Sequence, residues 1–442
     1  MSKHNVTIIL LLVSFNSFLA CDVADNNVEN DQIEYLHAST SETYISISEA
    51  RENVDSFLHE FDALTKATNH RYIINQFSRG GFDSTKAEQE KEPLVYVFNF
   101  NDNQGYAIAS GDSRMPAILC VTENGNLLEN DMLDNPGEIA MLSIIDTDYR
   151  MAVGLPIENY EGLWISPEEY GYSSPLVTKA QGAYHDTSEW ETLFTDGNLL
   201  SCSWHQHSPF NDSCPTKDGI HKLAGCVSIA VAQVMYYWGL NGTYEDLALD
   251  WNQMHLLQTG DETGIPSSTK QMVADLVRSL GKTNNLDVSY GLSSSSADCD
   301  HIKRTFEHFG YSSGGTKKNY SISEVVSALS NGPVIAGGFS HKKVKKVLGI
   351  TVSTSYSGGH EWVIDQHLVR RQYRYTFDGN NNLIDTEEIR QQLLHCCWGW
   401  MNGQSNGYYF AGNFDTNHGL VTRSDQDYYY QYKLDIHTNI HP

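Results

Sequence analysis

Two side chains in this sequence have the types and settings for nucleophilic chemistry. Cys226 opens GCVSIAVAQVMYYWG (225–239), in which only Ser228 and Gln233 interrupt the apolar character and Gly239 offers a stop. The run is too long for an ordinary strand, so it is read as a buried helix. A thiol in the first turn of a helix lies at the positive end of the dipole, which favours the thiolate. A thiolate is the form that attacks a carbonyl carbon, and Gly225 has no Cβ to obstruct a substrate. His360 lies in SGGHEWVIDQ, a glycine turn leading into a strand. Its imidazole is suited to taking a proton from a thiol and returning it to a leaving amine. Each residue also has a plain alternative. Free cysteine is among the most buried residue types, and a strand-edge histidine, one of 18 in the chain, more often serves as a hydrogen-bonded residue.

What narrows the choice is order. Trp204-His205-Gln206, Gly225-Cys226, Gly359-His360 and Trp398-Gly399-Trp400 follow one another along the chain. His360 follows Cys226 by 134 residues, inside the separation of about 130–150 seen in one class of cysteine hydrolases.

The surrounding elements are those needed to position such groups. SISEARENVDSFLHEFDALTK predicts an amphipathic helix with Ala50, Val54, Phe57, Leu58, Phe61 and Leu64 on one face, and Ser46 with Glu49 as a capping box. PLVYVFNF, the turn DNQG and YAIASG predict a hairpin, followed by a short strand AILCV. Residues 130–150 read as helical, and the Pro- and Gly-bearing stretch 154–185 as a junction between two units. Past the Cys226 helix, STKQMVADLVRSLG, ADCDHIKRTFEHFG and ISEVVSALSNG predict three more helices. From Pro333 the pattern changes to strands: PVIAGGFS, HEWVIDQHLVR, RQYRYTFDG, LLHCCWGW, GYYFAG and YYYQYKLDI. Helices first and antiparallel strands afterwards give an α+β fold with the helices packed on one side of a sheet.

Composition bounds the function. The 442 residues suffice for two or three domains. A formal charge of −26 excludes a nucleic-acid partner, because phosphate binding needs a basic surface. Lys3 and His4 precede the apolar run VTIILLLV, a signal-peptide pattern too short to span a bilayer. Cys21 resembles the lipid-attachment cysteine of a bacterial lipoprotein, with Phe18 where Leu is usual. None of the eight cysteines forms a CxxC or a Cys/His zinc spacing, so no metal is expected. Cys202 and Cys214 flank one loop and could bridge, an exported chain permitting disulfides. Cys396 and Cys397 should point to opposite faces of a strand.

These motifs together resemble the streptopain family of papain-like cysteine peptidases, in the prodomain-bearing form common among Bacteroidetes. GCVSIAVAQVMYYW is similar to the family's nucleophile helix, GGHEWVIDQ to its histidine strand and HCCWGWMNGQSNGYYF to its Trp-rich segment. YVFNFNDNQGYAIASGDSRMPAILCVTENG resembles the hairpin of its inhibitory prodomain, and YGLSSSSAD a loop near the active site. The resemblance implies a papain-like α+β peptidase domain preceded by a small α+β prodomain. It implies Cys226 as nucleophile, His360 as base and Gln206 as a donor to the oxyanion. Trp398, Trp400 and Gly359 would wall the site. One departure stands out: the family usually has Asn immediately before the WGW segment, where this chain has Cys397. A thiol accepts hydrogen bonds poorly, which leaves Asn402 or Asn406 as substitutes for orienting the imidazole.

The expectation is an exported bacterial zymogen, secreted or held at the cell surface. It comprises a signal peptide at 1–20, a tether and inhibitory prodomain at 21–172, and a cysteine peptidase domain at 173–442. Its partners would be protein or peptide substrates, its own prodomain as intramolecular inhibitor, and a lipid anchor in the outer membrane through Cys21. No cofactor is implied. The alternative is a catalytically weakened, peptidase-like surface protein that binds peptides or inhibits proteases.

Overall fold

The helix expected at Cys226 forms, and the sheet it packs on is larger than the strand pattern suggests. The computed structural model describes residues 44–65, 71–79, 95–113, 115–128, 157–158, 164–165, 184–244, 247–259, 261–347, 350–403, 405–411 and 432–442. The signal segment 1–20, Cys21, the tether, the helix expected at 130–150 and most of the junction lie outside the described residues.

The first unit begins with α1 (Ile47–Thr65). Ser46 Oγ accepts the Glu49 N–H at 3.2 Å, as the capping box requires, and Ala50, Val54, Phe57 and Leu58 are buried. Strands β1 (Ile73–Arg79), β2 (Val95–Phe100), β3 (Tyr106–Ser110) and β4 (Ile118–Thr122) form an antiparallel meander under it. Two further strands, β5 (Tyr184–Thr187) and β6 (Glu191–Gly197), lead into the second unit. Its longer helices are α2 (Cys226–Trp238), α3 (Ser267–Leu280), α4 (Ile302–His308) and α5 (Ile322–Leu329), as the periodicity predicts. Six more strands of the main sheet are β7 (Ser313–Asn319), β8 (Val334–Val347), β9 (Ile350–Phe377), β10 (Leu383–Cys397), β11 (Gly407–Phe410) and β12 (Tyr432–His441).

These twelve strands form one sheet, with the path β1-β2-β3-β4-β11-β10-β9-β8-β12-β7 and with β5 and β6 paired to β9, beside three separate two-stranded ribbons among the described residues. The two units are therefore continuous: β4 pairs antiparallel with β11, matching Thr122, Val121 and Cys120 to Gly407, Tyr408 and Tyr409. The two segments read as separate strands, HEWVIDQHLVR and RQYRYTFDG, are one 28-residue strand, β9. Its first half pairs with β8, and beyond Asp365 the same edge passes to β6 and then β5.

Alternation along the strands sorts the core. One face carries Val363 and Cys397 against α2 and α3, and Leu393, Tyr408 and Val121 against α1. The other carries Trp362, Ile364, Leu394 and Cys396 against α5. The helices thus cover both faces, not one, because α5 sits beneath the Trp-rich face and buries Val325 and Leu329 there. Cys396 and Cys397 do point to opposite faces. Cys202 and Cys214 are free thiols in the core and form no bridge. No helix among the described residues is long and apolar enough to cross a membrane.

Candidate active site

Cys226 is the first residue of α2, placed there by a chain reversal that only glycine adopts freely. Gly225 has φ 92°, and a Cβ on it would come within 3.3 Å of Ser295 Cβ. Ser295 belongs to the YGLSSSSAD segment, so that loop packs beside Gly225 at the entry to α2, held by Ser295 Oγ donating to the Leu223 carbonyl at 2.7 Å. Gln206 is buried, and its carbonyl accepts the Ala224 N–H at 3.1 Å, which fixes the WHQ loop against the entry to α2. The helix braces the same loop from inside, Gln233 Nε2 donating to the Trp204 carbonyl at 3.1 Å. No hydrogen bond engages the Gln206 carboxamide among the described residues, so its N–H groups are uncommitted.

His360 is buried on β9 within the tryptophans. Its ring stacks on Trp400 at 5.0 Å and on Trp398 at 6.0 Å. Trp362 extends the stack, parallel to within 10° at 6.4 Å. Its Nε2 lies 2.9 Å from the Trp398 carbonyl oxygen. A carbonyl only accepts, so Nε2 carries the proton of the neutral ring and Nδ1 is the basic nitrogen. The orienting acceptor is therefore a backbone oxygen, not a side-chain amide. Asn406, weighed for that role, instead accepts the Trp398 N–H on its Oδ1 at 2.9 Å and so holds the tryptophan segment. The side chain of Asn402 lies outside the described residues. Gly359 is required by space: a Cβ there would meet the Phe339 ring at 2.8 Å.

Thiol and imidazole are not joined. Among the described residues no hydrogen bond connects Cys226 with His360, and both groups are held neutral. Burial, together with the Glu361 carboxylate, pushes the Cys226 thiol up to about 11. That reverses the lowering expected from the helix dipole, because a dipole worth about 1 kcal/mol does not offset desolvation without a cationic partner. Burial pushes His360 down to about 4.

Glu361, which the sequence did not single out, follows His360 on the strand and acts on the Cys226 thiol. Strand alternation turns it from the His360 face toward α2. The Cys299 thiol donates to its Oε1 at 2.7 Å, and Oε2 is buried without a hydrogen-bond partner. Burial, then the nearby Asp435, pushes Glu361 up to about 8. A second buried group was also missed: Asp365, His395 and Cys397 on the α2 face, with His395 Nδ1 2.6 Å from Asp365 Oδ1. The only sequence signal for it was the His-x-Cys alternation, which puts both side chains on one strand face.

Residues 204–409 match the peptidase C10 family, and residues 42–146 match the Spi protease inhibitor family. Streptopain from Streptococcus pyogenes serotype M28 is 25% identical, the similarity covering 71% of this chain and 73% of that protein. Among solved structures, a prointerpain A fragment from Prevotella intermedia covers 83% of this chain and 99% of its own at 18% identity, with a TM-score of 0.48. Active interpain A from the same organism covers 56% of this chain and 96% of its own at 19% identity, with a TM-score of 0.35. With the C10 match spanning the Cys226 helix, the His360 strand and the Trp-rich segment, and the inhibitor match spanning α1 to β4, the chain belongs to the streptopain-type peptidase C10 family of cysteine endopeptidases and carries an inhibitor-like prodomain at its N-terminal side.

Proposed function

We propose that this cysteine peptidase zymogen is exported and hydrolyses peptide bonds through an acyl-enzyme thioester on Cys226. The observation that carries this reading is the fixed tautomer of His360. With Nε2–H committed to the Trp398 carbonyl, Nδ1 is left as the base for the thiol. Nδ1 takes the thiol proton as Sγ attacks the substrate carbonyl carbon. The uncommitted Gln206 carboxamide and the Cys226 backbone N–H, at the open end of α2, donate to the oxyanion. Collapse breaks the C–N bond, the imidazolium protonates the departing amine, and water then hydrolyses the thioester and restores the thiol. Trp398, Trp400 and Gly359 wall the imidazole from water.

The neutral thiol and imidazole, with no hydrogen bond between them among the described residues, fit a latent state with the prodomain in place. We assign residues 1–20 to a signal peptide, 21–172 to tether and inhibitory prodomain, and 173–442 to the peptidase domain. Processing falls around residues 170–190, with VTKAQG (177–182) as the candidate segment. Cys21 is the proposed lipid attachment point, which a Cys21→Ser variant tests by loss of fatty-acid labelling and release from the membrane fraction. Labelling equal to wild type would refute it.

The catalytic assignment is tested by stopped-flow kinetics on an ester substrate after processing. A burst of one product per enzyme is expected from wild type and none from Cys226→Ala. For Gln206→Ala, kcat should fall about 10²–10³-fold, the usual cost of one oxyanion donor. A Gln206→Ala enzyme with unchanged kcat would remove that residue from the mechanism.

A further inference from the structure

We propose that Asp365, His395 and Cys397 form a structural binding site for a divalent metal ion of zinc type. Three backbone features place the ligands. His395 and Cys397 are two residues apart on β10 and share its α2 face. Asp365 comes from the neighbouring strand at an irregularity in register, where Ile364 pairs with Cys396 and Gln366 with His395, leaving Asp365 as the extra residue. Such bulges re-aim a side chain. All three residues are buried.

The donors converge. His395 Nδ1 is 2.6 Å from Asp365 Oδ1, and the Cys397 sulfur is 3.8 Å from Asp365 Oδ2 and 3.9 Å from His395 Nδ1. A tetrahedral zinc ion with ordinary bond lengths needs about 3.6 Å between sulfur and the other donors and about 3.3 Å between nitrogen and oxygen. The sulfur–nitrogen distance is already close, the nitrogen–Oδ1 pair must open by about 0.7 Å to admit the ion, and one ligand atom from each of the three residues lies within 4.8 Å of the others. On binding, the Cys397 thiol proton and the His395 Nδ1 proton leave to solvent, giving thiolate, neutral imidazole and carboxylate as ligands.

The outer contacts fit the same role. With Nδ1 on a metal, His395 Nε2 carries the hydrogen. That nitrogen is buried without a hydrogen-bond partner and lies 3.4 Å from Glu123 Oε1. A carboxylate on the far nitrogen of a ligating histidine is the usual outer support of a zinc site. The Leu200 backbone N–H holds Asp365 Oδ2. Glu123 follows β4, so a metal on His395 would tie the peptidase sheet to the first unit. The expectation of no metal rested on spacing along the chain, whereas this set is assembled across two strands.

The test uses unprocessed protein carrying Cys226→Ala, refolded with Zn²⁺ or Co²⁺, dialysed, and read by metal content and by cobalt–thiolate charge-transfer absorption. About one equivalent of metal and the charge-transfer band are expected, and both should be lost when Cys397→Asn is added. Glu123→Gln should weaken affinity about 10–100-fold while keeping the band. Absence of stoichiometric metal in the Cys226→Ala protein would overturn the proposal. So would a band that survives Cys397→Asn, or, should that variant not fold, affinity unchanged by Glu123→Gln.

Discussion

At the scale of single residues, the site depends on which groups are kept neutral. Glu361 is the sharpest case. The folded chain holds its proton up to about pH 8, whereas an exposed glutamate loses it near 4.5. Between those values the folded state binds the extra proton, so its contribution to stability is full below about pH 4.5 and is lost as pH rises toward 8. Glu361→Gln should therefore melt less steeply with pH than wild type, gaining relative stability from pH 5 to pH 8. Thermal melts across that range check this, and parallel curves for the two proteins would refute it. Cys226 and His360 stand out as candidates in the sequence because a thiol opens an apolar helix and a histidine follows paired glycines, in an order and at a separation that suit thiol catalysis. The Trp398 carbonyl was not legible, since every residue has a carbonyl and only the fold aims one. The same holds for Glu361, whose neighbourhood comes from Cys299 and Asp435, far away in sequence.

At the scale of elements, the seam between β4 and β11 and the packing of α1 join the two units. Phe57 meets Tyr408 of β11 edge-on at 6.1 Å, and the buried Arg370 of β9 lies 4.8 Å over its ring. A helix of the first unit is thus anchored on strands of the second. Phe57→Ala should cost about 3–5 kcal/mol of zymogen stability through the cavity it leaves. It should also speed removal of the first unit by an added protease, measured by thermal melts and timed proteolysis. A melting temperature within error of wild type would contradict this anchoring. Helices α1 to α5 were readable because each shows an apolar periodicity or a nearly unbroken apolar run. Strand β9 was misread as two because Arg370 and Arg371 look like a polar break. In fact Arg370 is buried over Phe57 and Trp190, and Arg371 pairs with Glu191 at 2.9 Å. Strand order across the two units has no local signature, since Val121 and Tyr408 are brought together only by the completed sheet.

At the scale of the whole molecule, the prodomain is part of the peptidase's own sheet and core. Val97, Ile108, Leu119 and Cys120 of the first unit share one apolar cluster with Trp362, Trp398 and Tyr409 of the second. Removing the first unit uncovers that surface and the edge of β11, so the processed enzyme should melt at a lower temperature than the zymogen, which calorimetry of the two forms would show. The uncovered cluster includes two of the tryptophans stacked on His360. The most direct measurement is mass spectrometry of protein lacking residues 1–21, incubated with reductant beside a Cys226→Ala variant. Wild type should shed its N-terminal unit by cleavage between about residues 170 and 190 while the variant stays intact. Equal processing of both proteins would contradict a Cys226-dependent zymogen, as would silence from wild type toward peptides once an added protease has removed the first unit.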